Sequence, residues 1–285
     1  MSLSTSTATL TTGRPARKRR SARPRALNAS ASLGLGVGLL WFSLLVLIPL
    51  SAVVVEASGG GWGTYTSALT NSQTVNALQL TVGAAVLTTV VNMVMGTIIA
   101  WVLVRDRFWG KRILDLVIDI PFSMPTIVAG IVLLALYGSQ GPLGVAFENT
   151  QKAVFLAIAF VTLPFIVRTV QPVLEEMETD VEDAAASLGA SRATILRRVV
   201  LPALVPAIFA GAALSFARGI SEYGSLVLLS GNLPNRTEVT SYRMASLLEG
   251  GNRPAAAALA TIMLLVALLA IVVLDLTQRR LARRG

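Results

Sequence analysis

Between two apolar runs, about 153–170 and about 203–230, the chain reads Gln171-Pro-Val-Leu-Glu-Glu-Met-Glu-Thr-Asp-Val-Glu-Asp-Ala-Ala-Ala-Ser-Leu-Gly189-Ala-Ser-Arg-Ala-Thr-Ile-Leu-Arg-Arg-Val-Val-Leu201-Pro202. Pro172 suits the first turn of a helix, and Glu175 and Glu176 would then sit at the end of the dipole that favours acids. Gly189 takes the left-handed conformation at little cost, so it is expected to end that helix. Ser191 is placed to cap a second short helix running to about Val200. Leu201-Pro202 is expected to mark where the chain turns back into the next apolar run. The stretch 171–202 therefore predicts a polar helix–turn–helix hairpin inserted between two candidate membrane spans.

The same alternation of apolar runs and charged connections fills the rest of the chain. Leu33 to Val55 is an uncharged stretch of 23 residues, roughly 34 Å as a helix and long enough to span a bilayer. Val55-Glu56-Ala57 faintly resembles a signal-peptide cleavage site, but the apolar run exceeds the usual h-region, so a retained helix is expected. Further spans are expected at about 77–104, 113–137, 153–170, 203–230 and 255–276, which makes six. A chain that is 54% hydrophobic and 14% charged, with mean hydropathy +0.69, fits an all-α membrane protein. There is no Cys and no His, which removes thiol nucleophiles, disulfides and imidazole chemistry. No G-x-x-x-x-G-K-[ST] loop is present, so any ATP the protein depends on must be bound by another chain.

The net charge of +9 is explained by where the cations lie. Seven basic residues and no acids occur between Arg14 and Arg25, and residues 1–30 are expected to form a disordered basic tail, with residues 31–285 as the transmembrane domain. With the N-terminus inside, nineteen Lys and Arg fall on the inner side and four, Lys152, Arg236, Arg243 and Arg253, on the outer side. By the positive-inside rule both termini are expected in the cytoplasm. The lipid bilayer accounts for the basic balance without nucleic acid as a partner.

Two charges interrupt the fifth run. Arg218 and Glu222 are spaced to share one face of a helix, and intramembrane charges usually face a bundle interior or water. They are candidates for lining or gating an anion pathway, and a structural ion pair is the competing reading. Asp115 and Asp119 are expected to pair locally with Lys111 and Arg112 at a helix start. Pro121, Pro125, Pro164 and Pro206 lie in or beside spans, where they kink helices. The 231–253 connection, with Arg236, Glu238, Arg243 and Glu249, is expected on the outer face.

The hairpin carries a resemblance. Asp183-Ala184-Ala185, three residues, Gly189, nine residues and then Val199-Val200-Leu201-Pro202 resembles the EAA signature of ABC importer permeases, with Asp183 for Glu and Val199 for Ile. Glu182 precedes Asp183, so either acid fits the first position. The resemblance extends from about Gly34 to Arg280. It includes Ile120-Pro-Phe-Ser-Met-Pro-Thr-Ile-Val-Ala-Gly130, Gly138-Ser-Gln-Gly-Pro-Leu-Gly144, Leu163 to Glu175, Ser221-Glu-Tyr-Gly224, Gly231-Asn232 and Thr237 to Thr240. Together these look like the T-type permease of sulfate/thiosulfate importers; Ser221-Glu222-Tyr223-Gly224 stands where that family usually has Gly-Glu-Phe-Gly. The resemblance implies a six-helix type I ABC importer permease fold. It implies that Glu182, Asp183, Ala184, Ala185, Gly189, Val199, Leu201 and Pro202 couple to an ATPase. The implied partners are a second, W-type permease in a heterodimer, two ATPase subunits that hold the ATP and Mg, and an extracytoplasmic sulfate-binding protein. This chain binds no cofactor on that reading. A molybdate or tungstate permease is the alternative within the class. A gradient-driven secondary transporter is the alternative outside it, and would have no use for the hairpin. Six acids between Glu175 and Asp183 also argue against a helix that merely lies on anionic lipid.

Overall fold

The computed structural model describes residues 29–177 and 179–282. The basic tail lies outside the described residues except for Ala29 and Ser30, which open the first helix. By contacts the chain divides into Met1–Pro49 and Leu50–Gly285. The first unit holds α1 (Ala29–Phe42) and a short π-helical segment, Ser43–Leu47. The division falls within α2 (Ile48–Gly59), and the second unit continues with α3 (Trp62–Thr70), α4 (Ser72–Arg105), α5 (Lys111–Ser123), α6 (Thr126–Tyr137) and α7 (Gln151–Glu176). It then runs through α8 (Thr179–Ser187), α9 (Arg192–Ile195), a π segment at Leu196–Val200, α10 (Leu201–Ile220), α11 (Gly224–Leu229), α12 (Thr240–Glu249) and α13 (Arg253–Ala282). Among the described residues, five helical stretches are long and apolar enough to cross a membrane, and a sixth is reached if α5 and α6 form one span bent by 118°.

Helices α4, α7 and α10 pack together as the centre of the larger unit. Apolar burial drives little association inside lipid, so close approach through small residues must supply it. Gly96 of α4 and Gly211 of α10 both back onto Ile166 of α7; a Cβ at Gly96 would lie 2.7 Å from the Ile166 Cβ, and one at Gly211 2.2 Å from the Thr169 hydroxyl. Gly219 closes in the same way on Ile158. The threonines and the asparagine of this interface are satisfied. Thr81, Thr88, Thr89 and Thr162 return their hydroxyls to carbonyls in their own helices, and Asn92 donates across to Thr162 Oγ1 (2.9 Å) and the Ala159 carbonyl (3.1 Å).

The third and fifth spans are not continuous helices. Met124 is extended because it precedes Pro125, which disfavours the helical conformation at that position, and the chain turns there into α6. The fifth run breaks at 221–223, between α10 and α11. The upper halves meet: Gly130 of α6 touches the Ser225 backbone and Gly224 of α11 touches Thr126, at distances no Cβ would permit.

Three local expectations need correction. Pro172 does not start a helix; it lies within α7, and Glu175 and Glu176 fall at that helix's C-terminal end. Burial of Val170 and Leu174 in one core with Val200 and Leu204 carries α7 past the proline, and prolines are tolerated in membrane helices whose freed groups find other partners. Leu201-Pro202 makes no turn, since helical structure continues from Arg192 to Ile220. The π segment Leu196–Val200, one residue short of Pro202, already departs from regular bonding in the turn whose carbonyls the proline's missing N–H would have served. Finally, Asp115 and Asp119 pair with neither Lys111 nor Arg112 but with Arg168.

Candidate functional site: the hairpin and the ion pairs behind it

Met177 breaks α7 in an extended conformation. Helix α8 opens with Asp180 and Glu182 in its first turn, which favours its dipole. It closes at Gly189, whose φ of +85° only a glycine adopts readily, while Ala190 N–H returns to the Ala185 carbonyl at 3.0 Å. Ser191 Oγ then accepts from Thr194 N–H at 3.3 Å and caps α9. Ile195 and Val200 are buried in the core below the hairpin, and Val199 packs on its edge. Leu201 and Pro202 face outward on the continuing helix.

The hairpin's outer surface is bare. Asp183 and Ala184 are exposed, Val181 is 53% exposed and Leu188 is 90% exposed. Ala185 turns inward to the core. Glu182 is engaged within the chain, paired with Arg105 at the end of α4, and that guanidinium sits 5.8 Å from the Trp101 ring centroid. The two adjacent acids therefore differ: Glu182 is tied down and Asp183 is free to meet a partner.

A second polar feature, absent from the expected sites, lies on α7. Arg168 spends all five of its N–H donors. Nε and one Nη grip both Asp119 oxygens at 2.7 Å, the other Nη reaches Asp115 Oδ1 (2.7 Å) and Gln171 Oε1 (2.6 Å), and the Asp115 carbonyl takes the fifth at 2.9 Å. This clamp ties α5 to α7. The signal for it was two acids one helical turn apart on one segment and a lone arginine in the following span.

Arg218 and Glu222 meet, though not on one helix: α10 ends at Ile220 and Glu222 lies in the break. Arg218 Nη1 stands 2.8 Å from Glu222 Oε2, off the line a hydrogen bond requires, and Glu222 is wholly buried while the Arg218 side chain is 31% exposed. The other carboxylate oxygen accepts from Ser225 N–H (3.0 Å) and Ser225 Oγ (2.9 Å), which serves the start of α11. The Glu222 carbonyl accepts from Ser241 Oγ at 2.7 Å. The structure thus brings the hairpin residues together at one end and places the Arg218–Glu222 pair apart from them.

A bundle of broken and unbroken spans with an exposed hairpin between the fourth and fifth is the architecture of an ABC importer's membrane permease. The chain belongs to the family described as binding-protein-dependent transport system inner membrane component, which it matches over residues 92–284; it is a multi-pass inner-membrane transport component rather than an enzyme. It is 41% identical over 253 residues to the sulfate transport system permease protein CysT of Salmonella typhimurium, covering 86% of this chain and 91% of that one. It is 40% identical over 253 residues to the Escherichia coli K12 protein of the same name, with the same coverage, and 37% identical over 248 residues to that of Synechocystis, covering 85% and 87%. Among solved structures, a bacterial ABC transporter importing the polysaccharide alginate superposes with TM-score 0.73 at 15% identity, covering 87% of this chain and 94% of that one. The MetNI methionine transporter gives 0.55 at 18% identity, covering 74% and 94%. Both likenesses establish the ABC importer permease fold.

Proposed function

We infer that this chain is the membrane permease subunit of an ATP-driven sulfate importer. The observation that carries the substrate is likeness at about two residues in five, along nearly the whole of both chains, to permeases named for sulfate. Thiosulfate, of the same charge and tetrahedral shape, belongs to the same reading. The hairpin is the surface that meets the ATPase: α8 presents Val181, Ala184 and Leu188 outward on a helix short enough to seat in a groove, and Asp183 beside them offers a charge. The complete transporter pairs this chain with a second, W-type permease. Two ATPase subunits that hold ATP and Mg lie beneath them, and a sulfate-binding protein lies outside. Both termini and the hairpin are then cytoplasmic. ATP binding draws the ATPases together, moves the hairpins and turns the pathway outward; hydrolysis resets it. Arg218 supplies positive potential to the anion along that pathway, and Glu222 limits how tightly it is held.

The test is uptake of labelled sulfate, with molybdate alongside, in cells lacking the gene and in cells carrying Gly189→Asp. The expected result is loss of sulfate uptake in both with molybdate uptake intact. Loss of molybdate uptake alone would overturn the substrate and keep the importer.

A further inference from the structure

Resting on the reading of α8 as the ATPase-docking helix, we propose that Arg105 and Glu182 join that helix to α4, and that α4 carries its movement across the membrane to the Arg218–Glu222 break. Arg105 is a positioning residue in this scheme; it touches neither substrate nor nucleotide.

Among the described residues, one ion pair ties α8 to a membrane span. Helix α8 is otherwise held by short connections and by the inward face of Ala185. Its Glu182 is bound to Arg105, with the two side chains 22% and 17% exposed. Trp101, one turn back on α4, lies against the guanidinium, and Arg105 Nε is buried without a hydrogen-bond partner. A guanidinium so placed, desolvated and oriented by a ring, holds its carboxylate more firmly than an exposed pair would.

Helix α4 is then a suitable rod. Its 34 residues span about 51 Å without interruption. Past mid-length Asn92 is bonded to α7 and Gly96 sits against Ile166, which resists sliding of α4 along α7. At the far end the contacts are polar and specific. Gln73 Nε2 donates to the buried Glu238 (2.7 Å), Asn76 Nδ2 to Asn235 Oδ1 (3.0 Å), and Thr81 Oγ1 accepts Thr240 N–H at 2.8 Å. Thr240 Oγ1 also donates to the Ala77 carbonyl at 3.1 Å. The next residue, Ser241, holds the backbone of Glu222. A displacement of α8 therefore reaches, through one ion pair, one rigid helix and two successive hydroxyl contacts, at Thr81 and at Ser241, the residue that pairs with Arg218 and supports α11. A contiguous set of packed and hydrogen-bonded contacts is the physical form such coupling takes, and coupling energies measure it.

The experiment uses the whole transporter, this chain with its second permease, ATPase subunits and binding protein, in proteoliposomes. Arg105→Gln, Glu182→Gln and the charge exchange Arg105→Glu with Glu182→Arg are compared for ATPase co-purification, binding-protein-stimulated ATP hydrolysis and sulfate transported per ATP. The expected result is that both single variants keep their ATPase and hydrolyse ATP, while stimulation and transport per ATP fall about fivefold and the exchange restores most of the loss. Thr81→Val, at the far end, is expected to add little to Glu182→Gln because both cut the same connection. Single variants that couple as well as wild type overturn the proposal, as do single variants that the exchange fails to restore. So does full additivity of Thr81→Val with Glu182→Gln. Gly189→Asp in the same assay separates the underlying reading: if it keeps its ATPase and transports normally, α8 is not the docking helix, whereas normal coupling by Arg105→Gln removes only the link through α4.

Discussion

Arg168 and Arg218 both sit in membrane-spanning segments and both face acid, yet they are built in opposite ways. Arg168 is saturated: every N–H has an acceptor, from two carboxylates, a side-chain amide and a carbonyl. Arg218 has one close approach to one carboxylate oxygen, poorly aligned, and that oxygen has no hydrogen-bond partner. The saturated arginine joins α5 to α7, elements that must stay in register for the bundle to exist. The under-satisfied one sits where a span is broken, between a long helix and a six-residue half-helix. A fully bonded network has one arrangement and resists change, whereas a pair with unspent capacity can rearrange without first losing much. The first is a joint and the second is a place where movement is cheap.

That contrast makes Arg168→Leu the most damaging of the single changes it predicts. The substitution strands Asp115 and Asp119 together on α5 without the cation that holds them. The two carboxylates are 42% and 47% exposed, so the loss is expected below that of a fully buried pair, on the order of 2 kcal/mol, read as a fall in membrane level and thermal stability in detergent; a variant as stable as wild type would remove the distinction. Arg218→Gln comes next. It leaves Glu222, fully buried, without a cation, so uptake per inserted molecule is expected to fall about tenfold, equivalent to about 1.4 kcal/mol. Wild-type uptake at normal levels would end the pathway role. Glu222→Gln is expected to be milder than Arg218→Gln, because the amide oxygen still accepts from Ser225 and Arg218 retains an exposed side from which to be solvated. A reversed order would mean that the pair is organised around the acid.

The sequence shows these regions unequally, and for physical reasons. Span count, the Gly189 turn and the Ser191 cap follow from local signals: run length, positive φ and a hydroxyl at a helix start. Arg218 and Glu222 stood out because charge is rare in an apolar run, and they do meet. Their break was written in Ser221-Glu-Tyr-Gly224 but not readable as one, since nothing in a four-residue spacing separates a helix from a turn that restores the same contact. Pro125 announced a kink, but its size, 118°, comes with long-range packing such as that of Gly130 against Ser225, which no local signal shows. Arg168 was hidden because its partners lie 49 and 53 residues away, and Lys111 and Arg112 offered nearer cations. Helix α7 overran Pro172 for a similar reason: Leu174 has a buried site to reach, and long-range burial outweighs a local stop signal.

Gln171 is the weakest member of the Arg168 clamp. Its side-chain oxygen takes one of Arg168's five donors, at 2.6 Å, and its amide donates to Glu175 at 3.0 Å. In Gln171→Ala the Arg168 head keeps its bonds to α5, and the released N–H can turn to solvent because the side chain is 32% exposed. The expected loss is at most about 1 kcal/mol, a fall in melting temperature of about 2–4 °C, with sulfate uptake unchanged. That small result beside the large one for Arg168→Leu would locate the joint in the two aspartates, since a neutral acceptor on the arginine's own helix adds no tie between helices. If Gln171→Ala instead destabilises the protein as much as Arg168→Leu does, the clamp depends on the Gln171–Glu175 extension of α7 toward the hairpin. The joint and the hairpin would then be one mechanical unit, and the contrast between a fixed arginine and a movable one would have to be drawn elsewhere.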